Sequence, residues 1–161
     1  MRALLMWLHI LAGVVALGGG IFLNFILAPA AAAALQPADR LGLQARLVRR
    51  FLPTVLICLL ALILTGVLFL ASVFSIPGYG AEVSYMRHLT LKLILVAVVL
   101  LLALYQYFRL GLPLAAIAAD RSISDQAARA QRLSRRMALI TRINIALVTL
   151  IFYLAVKMTR G

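Results

Sequence analysis

Two histidines and one lysine lie inside long apolar stretches of this sequence. His9 is in the first stretch, and His88 and Lys92 open the third, with Tyr85 three residues before His88. A spacing of four residues puts His88 and Lys92 on one face of a helix. Because an ionisable side chain in hydrocarbon costs at least about 2.5 kcal/mol, such residues mark functional sites. The sequence therefore predicts a cofactor-binding site formed by His9, Tyr85, His88 and Lys92.

The two histidines are predicted to lie at matched depths. If the first span begins near Ala3 and the third near Glu82, each histidine is six residues in, or roughly 9 Å along its helix. These spans run in the same direction, and we expect them to lie diagonally across the bundle. Two imidazoles so placed suit one metal ion or the axial positions of a haem. Lys92 has no acidic partner in its span and could contact a propionate, a quinone oxygen or another anion.

Methionines accompany the histidines at the same end of the bundle. Met6 is three residues before His9, and Met86 is two residues before His88. Thioether and imidazole groups together suit the soft ion Cu(I), although methionine is also an ordinary apolar filler. The predicted metal ligands are therefore His9, His88, Met6 and Met86.

The elements that must position these groups are four apolar helices. The chain has 161 residues, of which 65% are hydrophobic, and a mean hydropathy of +1.09. Apolar stretches of at least about 18 residues predict membrane spans, and four fit, at about residues 4–27, 53–75, 85–110 and 137–157. The prediction is an all-α integral membrane four-helix bundle in which residues 1–161 form a single domain.

The net charge of +12 gives the bundle an orientation. Eleven of the sixteen basic residues lie in or beside the first and third connections, which the positive-inside rule assigns to the cytoplasm. Both termini and the second connection then face outward. Because the arginines flank spans, they favour membrane lipid as a partner and argue against nucleic acid.

The connections contain their own local signals. Asp39 is a candidate N-cap for a short interfacial helix, Arg40–Arg50, and Pro53 suits the first turn of the second span. Residues 77–80 form a turn signal. Residues 111–136 form the only long connection and contain a basic amphipathic helix that leads into the fourth span.

Small residues follow His9 on about the same helix face. Gly13, Ala16 and Gly20 let helices approach closely, and the alternative is that they clear room beside His9 for a flat cofactor. In the second span, the Thr65-Gly66 pair is interpreted as a packing feature.

The residues that several other chemistries require are missing from this sequence. The spans contain no paired carboxylates, and the chain has no phosphate-binding glycine loop, no HExxH and no CxxC. Its four acidic residues are too few for a proton-relay pump, and the single cysteine, Cys58, excludes an intramolecular disulfide.

Short motifs along most of the chain are similar to those of one known family. They are Leu8-His9-Ile10-Leu11-Ala12-Gly13, Gly18-Gly19, the segment 28–35, Arg49-Arg50-Phe51, Thr65-Gly66, the segment 85–92 and Arg142-Ile143-Asn144. Together they resemble the CopD-like family of small four-span membrane proteins. The resemblance implies a bacterial-type inner-membrane location and a role in copper resistance or uptake.

A related resemblance points to haem. His9, His88 and Lys92 are similar to the histidine and histidine–lysine residues of HemJ-type protoporphyrinogen oxidases, which bind haem b. The chain differs from that pattern near Asn144, where acidic and proline residues are missing.

Three hypotheses follow from the residues and the resemblance. The first is a redox-active metal centre at the outer end that handles or transports copper. The second is a b-type haem protein that oxidises a porphyrin or a quinone. The third is a structural or lipid-binding subunit, and a homo-oligomer is left open.

Overall fold

The computed structural model describes residues 2–74, 83–119 and 126–160, with side chains for 3–71, 86–118 and 128–157. All of its regular elements are helical. They are α1 (Arg2–Ile21), a first π-helical segment (Phe22–Leu27), α2 (Ala28–Ala34), α3 (Pro37–Phe74), α4 (Val83–Tyr105), a second π-helical segment (Gln106–Gly111), α5 (Leu112–Ala119) and α6 (Gln126–Arg160).

Four helical stretches are long and apolar enough to cross a membrane. They are Ala3–Ala34, Pro37–Ala71, Met86–Ala118 and Ala128–Lys157. Each contains the greater part of one predicted span and extends beyond it at one end or both. The all-α four-helix membrane bundle predicted from hydropathy is confirmed.

The helices pack in a ring that follows chain order. Helix α1 packs against α3 and α6, and α4 packs against the same two helices. The first and third spans are therefore diagonal, as predicted. Two apolar clusters fill the described interior, one around Val48, Leu110 and Leu114 and one around Leu59 and Val99.

The first connection differs from its prediction. Residues 40–50 do not form a separate interfacial helix but are the first turns of α3, where Ala45 and Val48 are buried. Pro53 consequently lies inside α3 and not at a helix start. Its ring removes the backbone donor that would reach the carbonyl four residues earlier, that of Arg49. The Thr54 hydroxyl, 2.9 Å from the Arg50 carbonyl, bonds to the next carbonyl along the helix.

The third connection is also more helical than predicted. Helix α5 continues to Ala119 and α6 begins at Gln126, so most of residues 111–136 extend the third and fourth spans. The predicted basic helix is the first part of α6. The predicted turn at residues 77–80 lies outside the described residues.

Three of the described glycines allow close helix packing. A Cβ would lie 2.9 Å from the Phe152 ring at Gly13, 2.5 Å from the Phe51 ring at Gly19, and 2.9 Å from Leu52 Cδ1 at Gly111. Real Cβ contacts are not that short, so all three positions bring helices together. This supports the packing role predicted for Gly13, whose open side is filled by Phe152.

Candidate functional site

A cavity of about 300 Å³ lies between the four long helices, in the half of the bundle that contains the start of α1 and the end of α6. We call it the outer cavity, because the arginines predict that this end faces outward. Its polar lining side chains are those of His9 and Lys92, and the other described lining residues are aliphatic, aromatic or glycine. An apolar cavity with a few convergent polar groups is the usual form of a ligand site.

His9 is held in place by a threonine on the neighbouring helix. Its Nδ1 lies 2.7 Å from Thr65 Oγ1, and the same hydroxyl lies 2.6 Å from the carbonyl oxygen of Ala61. A carbonyl can only accept, so the hydroxyl proton goes to Ala61 and Thr65 accepts from His9 Nδ1–H. The neutral imidazole then has its lone pair on Nε2. That is the tautomer in which a histidine can coordinate a metal through Nε2.

Phe69 and Gly66 lie beside the imidazole of His9. Phe69 meets the ring edge-on, with ring centroids 6.1 Å apart and planes at 88°, a favourable geometry for aromatic rings. A Cβ at Gly66 would lie 3.8 Å from His9 Cε1. That is an ordinary contact distance, so it is Thr65 that positions the histidine, a role that the interpretation of Thr65-Gly66 as a packing feature had missed.

Lys92 brings a positive charge to the same cavity. It lies on α4 and is half-buried. No aspartate or glutamate is among the described residues that line the cavity. Among the described lining residues, the ionisable groups are thus one imidazole and one amine.

The remaining predicted site residues lie outside this lining. His88, one turn before Lys92, is half-buried but is not a lining residue. Met6 and Met86 have exposed fractions of 57% and 41%. The side chain of Tyr85 is outside the described residues. The structure brings His9 and Lys92 to one cavity, and the pairing of His9 with His88 stays a prediction.

A second cavity, of about 340 Å³, lies in the opposite half of the bundle. We call it the inner cavity. Its lining contains the side chains of Arg40, of Ser134 and Thr141, and of four amides, Asn24, Gln44, Gln106 and Asn144. In the sequence, Asn144 stands out only as part of a resemblance motif.

An apolar layer separates the two cavities. Leu59, Val99 and Val148 line both of them, and Leu59 and Val99 belong to one buried cluster. The two cavities are therefore consecutive along the bundle axis, with this layer between them.

A match to one protein-family model shows which family this chain belongs to. The family model for copper resistance protein D matches residues 45–158, most of the chain, including Thr65, His88 and Lys92. The chain belongs to the CopD family. Among the curated proteins and the solved structures compared with it, none matches. A relation to the HemJ-type oxidases is not shown by this match.

Membership gives the coarse function and location. A CopD-family protein with four helices long enough to cross the membrane is a multi-pass inner-membrane protein linked to copper resistance. Within the described residues, no cluster of three or more histidine, cysteine, aspartate or glutamate side chains could form a metal site.

Proposed function

We propose that this CopD-family protein transports copper, and that His9 binds the cuprous ion in the outer cavity. The observation that carries the proposal is the hydrogen bond from His9 Nδ1 to Thr65 Oγ1, 2.7 Å long. It leaves Nε2 as the basic nitrogen on a residue that lines the cavity. Imidazole is a suitable ligand for copper, and a fixed tautomer makes the ring ready to coordinate.

The thioethers at the same end provide a first contact for the metal. Met6 lies about one turn before His9 on α1, and Met86 lies near His88 at the start of α4. Both methionines lie near the outer ends of their helices, where a copper ion arriving from outside meets them before it reaches the cavity. Soft sulfur ligands favour Cu(I) over harder ions. In this proposal Met6, Met86 and His88 complete the ligand set around His9.

Lys92 weakens the binding of copper in the outer cavity, so that the ion can be released. A protonated amine and a cuprous ion in one apolar cavity repel each other, because the low dielectric constant strengthens their interaction. Binding that is favourable enough to capture an ion but weak enough to release it is what conduction requires. Lys92 thus limits how tightly His9 can hold the metal.

Onward movement requires the apolar layer to open. Leu59, Val99 and Val148 stand between the outer and inner cavities. Separation of these side chains joins the two cavities along the bundle axis. The transport proposal therefore assigns this layer as the barrier that copper crosses.

The haem alternative has no observation of its own in its favour. It needs His88 as the second axial ligand, and His88 is not among the described residues that line the outer cavity. The copper proposal also uses His88, but it has a second support in the thioethers of Met6 and Met86 near the same end of the bundle, which a bis-histidine haem site does not use.

The test is cuprous-ion binding by the full chain in lipid nanodiscs, measured by competition with a coloured Cu(I) chelator. Metal analysis and an absorption spectrum are taken on the same samples. We expect His9→Ala to lose the bound copper. Leu8→Ala, an exposed neighbour outside the cavity lining, should keep it.

Two results would overturn the proposal. One is equal copper retention by His9→Ala and Leu8→Ala. The other is a Soret band in the wild-type protein that disappears in both His9→Ala and His88→Ala, which would establish the haem alternative.

A further inference from the structure

The inner cavity has a chemical character different from that of the outer one. Four amide side chains line it from four parts of the bundle: Asn24 in the first π-helical segment, Gln44 in α3, Gln106 in the second π-helical segment, and Asn144 in α6. The cavity's only charged described residue is Arg40. The oxygen of Gln44 is already used, since its Oε1 accepts from Ser134 Oγ at 2.9 Å.

The amide nitrogens of Asn24 and Gln106 are already used within the protein. Asn24 Nδ2 donates to the Gly20 carbonyl at 3.2 Å. Gln106 Nε2 lies 2.7 Å from Thr141 Oγ1, whose own proton goes to the Met137 carbonyl at 2.9 Å. Since Thr141 must accept, Gln106 presents nitrogen to it. Both residues keep their side-chain oxygens as acceptors for something else.

Asn144 supplies the third acceptor. Its Oδ1 is buried and has no hydrogen-bond partner among the described residues. A buried polar atom without a partner lowers stability, and such atoms in natural proteins call for an explanation. A ligand with a hydrogen-bond donor in the cavity beside Asn144 provides one.

The two π-helical segments of the backbone also lie at the inner cavity. The first π-helical segment contains Asn24 and the second contains Gln106. Such short π-helical turns are rare and occur frequently at functional sites. Both deviations from regular α-helix therefore coincide with polar lining residues of one cavity.

The charge and the donor types exclude a second copper site. Amide oxygens are hard ligands, and Cu(I) prefers soft ones. Arg40 also opposes a cation, and its guanidinium is bound at 2.7 Å to the Ala32 carbonyl. The side-chain oxygens of Asn24, Gln106 and Asn144 can only accept hydrogen bonds and so disfavour an anion beside them. The ligand that fits beside Asn144 is therefore uncharged.

We propose that the inner cavity binds an uncharged, lipid-soluble molecule that donates a hydrogen bond from a hydroxyl group, of the phenol or hydroquinone class. Its hydroxyl donates a hydrogen bond to the amide oxygens, with Asn144 Oδ1 as the principal acceptor. Its apolar body lies against the aliphatic lining and Phe51. Molecules of the same shape that only accept hydrogen bonds are bound poorly, because they leave Asn144 unpaired.

The test compares two probes of nearly equal size, 4-decylphenol and its methyl ether. Saturable binding is measured with the full chain in lipid nanodiscs that contain no copper, so the result is independent of the transport proposal. We expect the wild-type protein to prefer the phenol by about tenfold, the factor that one net hydrogen bond of this kind supports. Asn144→Leu should lose that preference.

Two further variants keep the test decisive. Thr149→Val removes an exposed α6 hydroxyl that bonds only its own helix and should retain the preference. Asn24→Leu should reduce it. Ligand-free Asn144→Leu should also unfold at a higher temperature than wild type, because the unpaired buried oxygen is gone.

Equal binding of the phenol and the ether by wild type, or no saturable binding of either, would overturn the proposal. So would a preference that survives in folded Asn144→Leu.

Discussion

His9 Nδ1 and Thr65 Oγ1 are 2.7 Å apart and join α1 to α3 at the wall of the outer cavity. The Thr65 hydroxyl also donates to the carbonyl four residues earlier, at 2.6 Å. The hydroxyl is thus both a donor within its own helix and an acceptor for the next one. This double role fixes the imidazole tautomer without a carboxylate among the described lining residues of the cavity.

The first prediction concerns Thr65→Val, which keeps the shape of the side chain and removes the acceptor. His9 loses the partner that orients its ring, so we expect its Cu(I) affinity to fall by about tenfold or more, the usual effect of removing a partner of a metal-binding histidine. The measurement is chelator competition in nanodiscs. Thr149→Val, which removes an exposed hydroxyl with the same kind of bond to its own helix, is the matched control. Equal affinities for the two variants would contradict the positioning role of Thr65.

The second prediction concerns Lys92→Met, which keeps most of the side-chain length and removes the charge. At a separation of about 10 Å and an effective dielectric constant of about 20, two unit charges repel by roughly 1.7 kcal/mol, or about 15-fold in affinity. We therefore expect Lys92→Met to bind Cu(I) more tightly and to release it more slowly. Arg87→Met, on an exposed part of α4, should change neither. Weaker binding by Lys92→Met would mean that the lysine attracts an anion that accompanies the metal.

The sequence predicts the spans and part of the site. Long apolar stretches can only be helical in a bilayer, so the number and order of the spans follow from hydropathy. His9 and Lys92 were identifiable because ionisable residues are rare in such stretches. Thr65 was not, because a threonine in a helix commonly bonds to its own backbone, and nothing local indicates that a second helix will donate to it.

The remaining differences arise from tertiary packing. Pro53 matches a helix-start signal, but residues on both sides of it are buried against neighbouring helices, and α3 continues through it. The second π-helical segment ends at Gly111, where α3 approaches closely. Such deviations depend on contacts between helices that no local pattern contains.

The third prediction tests this close approach with two glycine substitutions. In Gly111→Ala, the new methyl group would lie 2.9 Å from Leu52 Cδ1 and 3.0 Å from Val48 Cγ1, so we expect a loss of about 1–3 kcal/mol in the free energy of unfolding. Gly18→Ala places its methyl group in open space, with nothing within 4 Å, and should be neutral or stabilising by up to about 1 kcal/mol. Denaturant unfolding in micelles measures both. Equal stabilities would show that α3 and the second π-helical segment are not tightly packed.

The fourth prediction addresses the apolar layer between the cavities. Val99 has an exposed fraction of 3% and lines both cavities, so Val99→Ala removes part of the barrier while leaving His9 and Thr65 in place. We expect faster copper flux into proteoliposomes with unchanged Cu(I) affinity at equilibrium. The adjacent Val98 has an exposed fraction of 37% and lines neither cavity, so Val98→Ala makes the same chemical change away from the path and should transport like wild type. If both variants carry copper at the wild-type rate, the ion does not cross between the cavities, and the bundle axis is not its route.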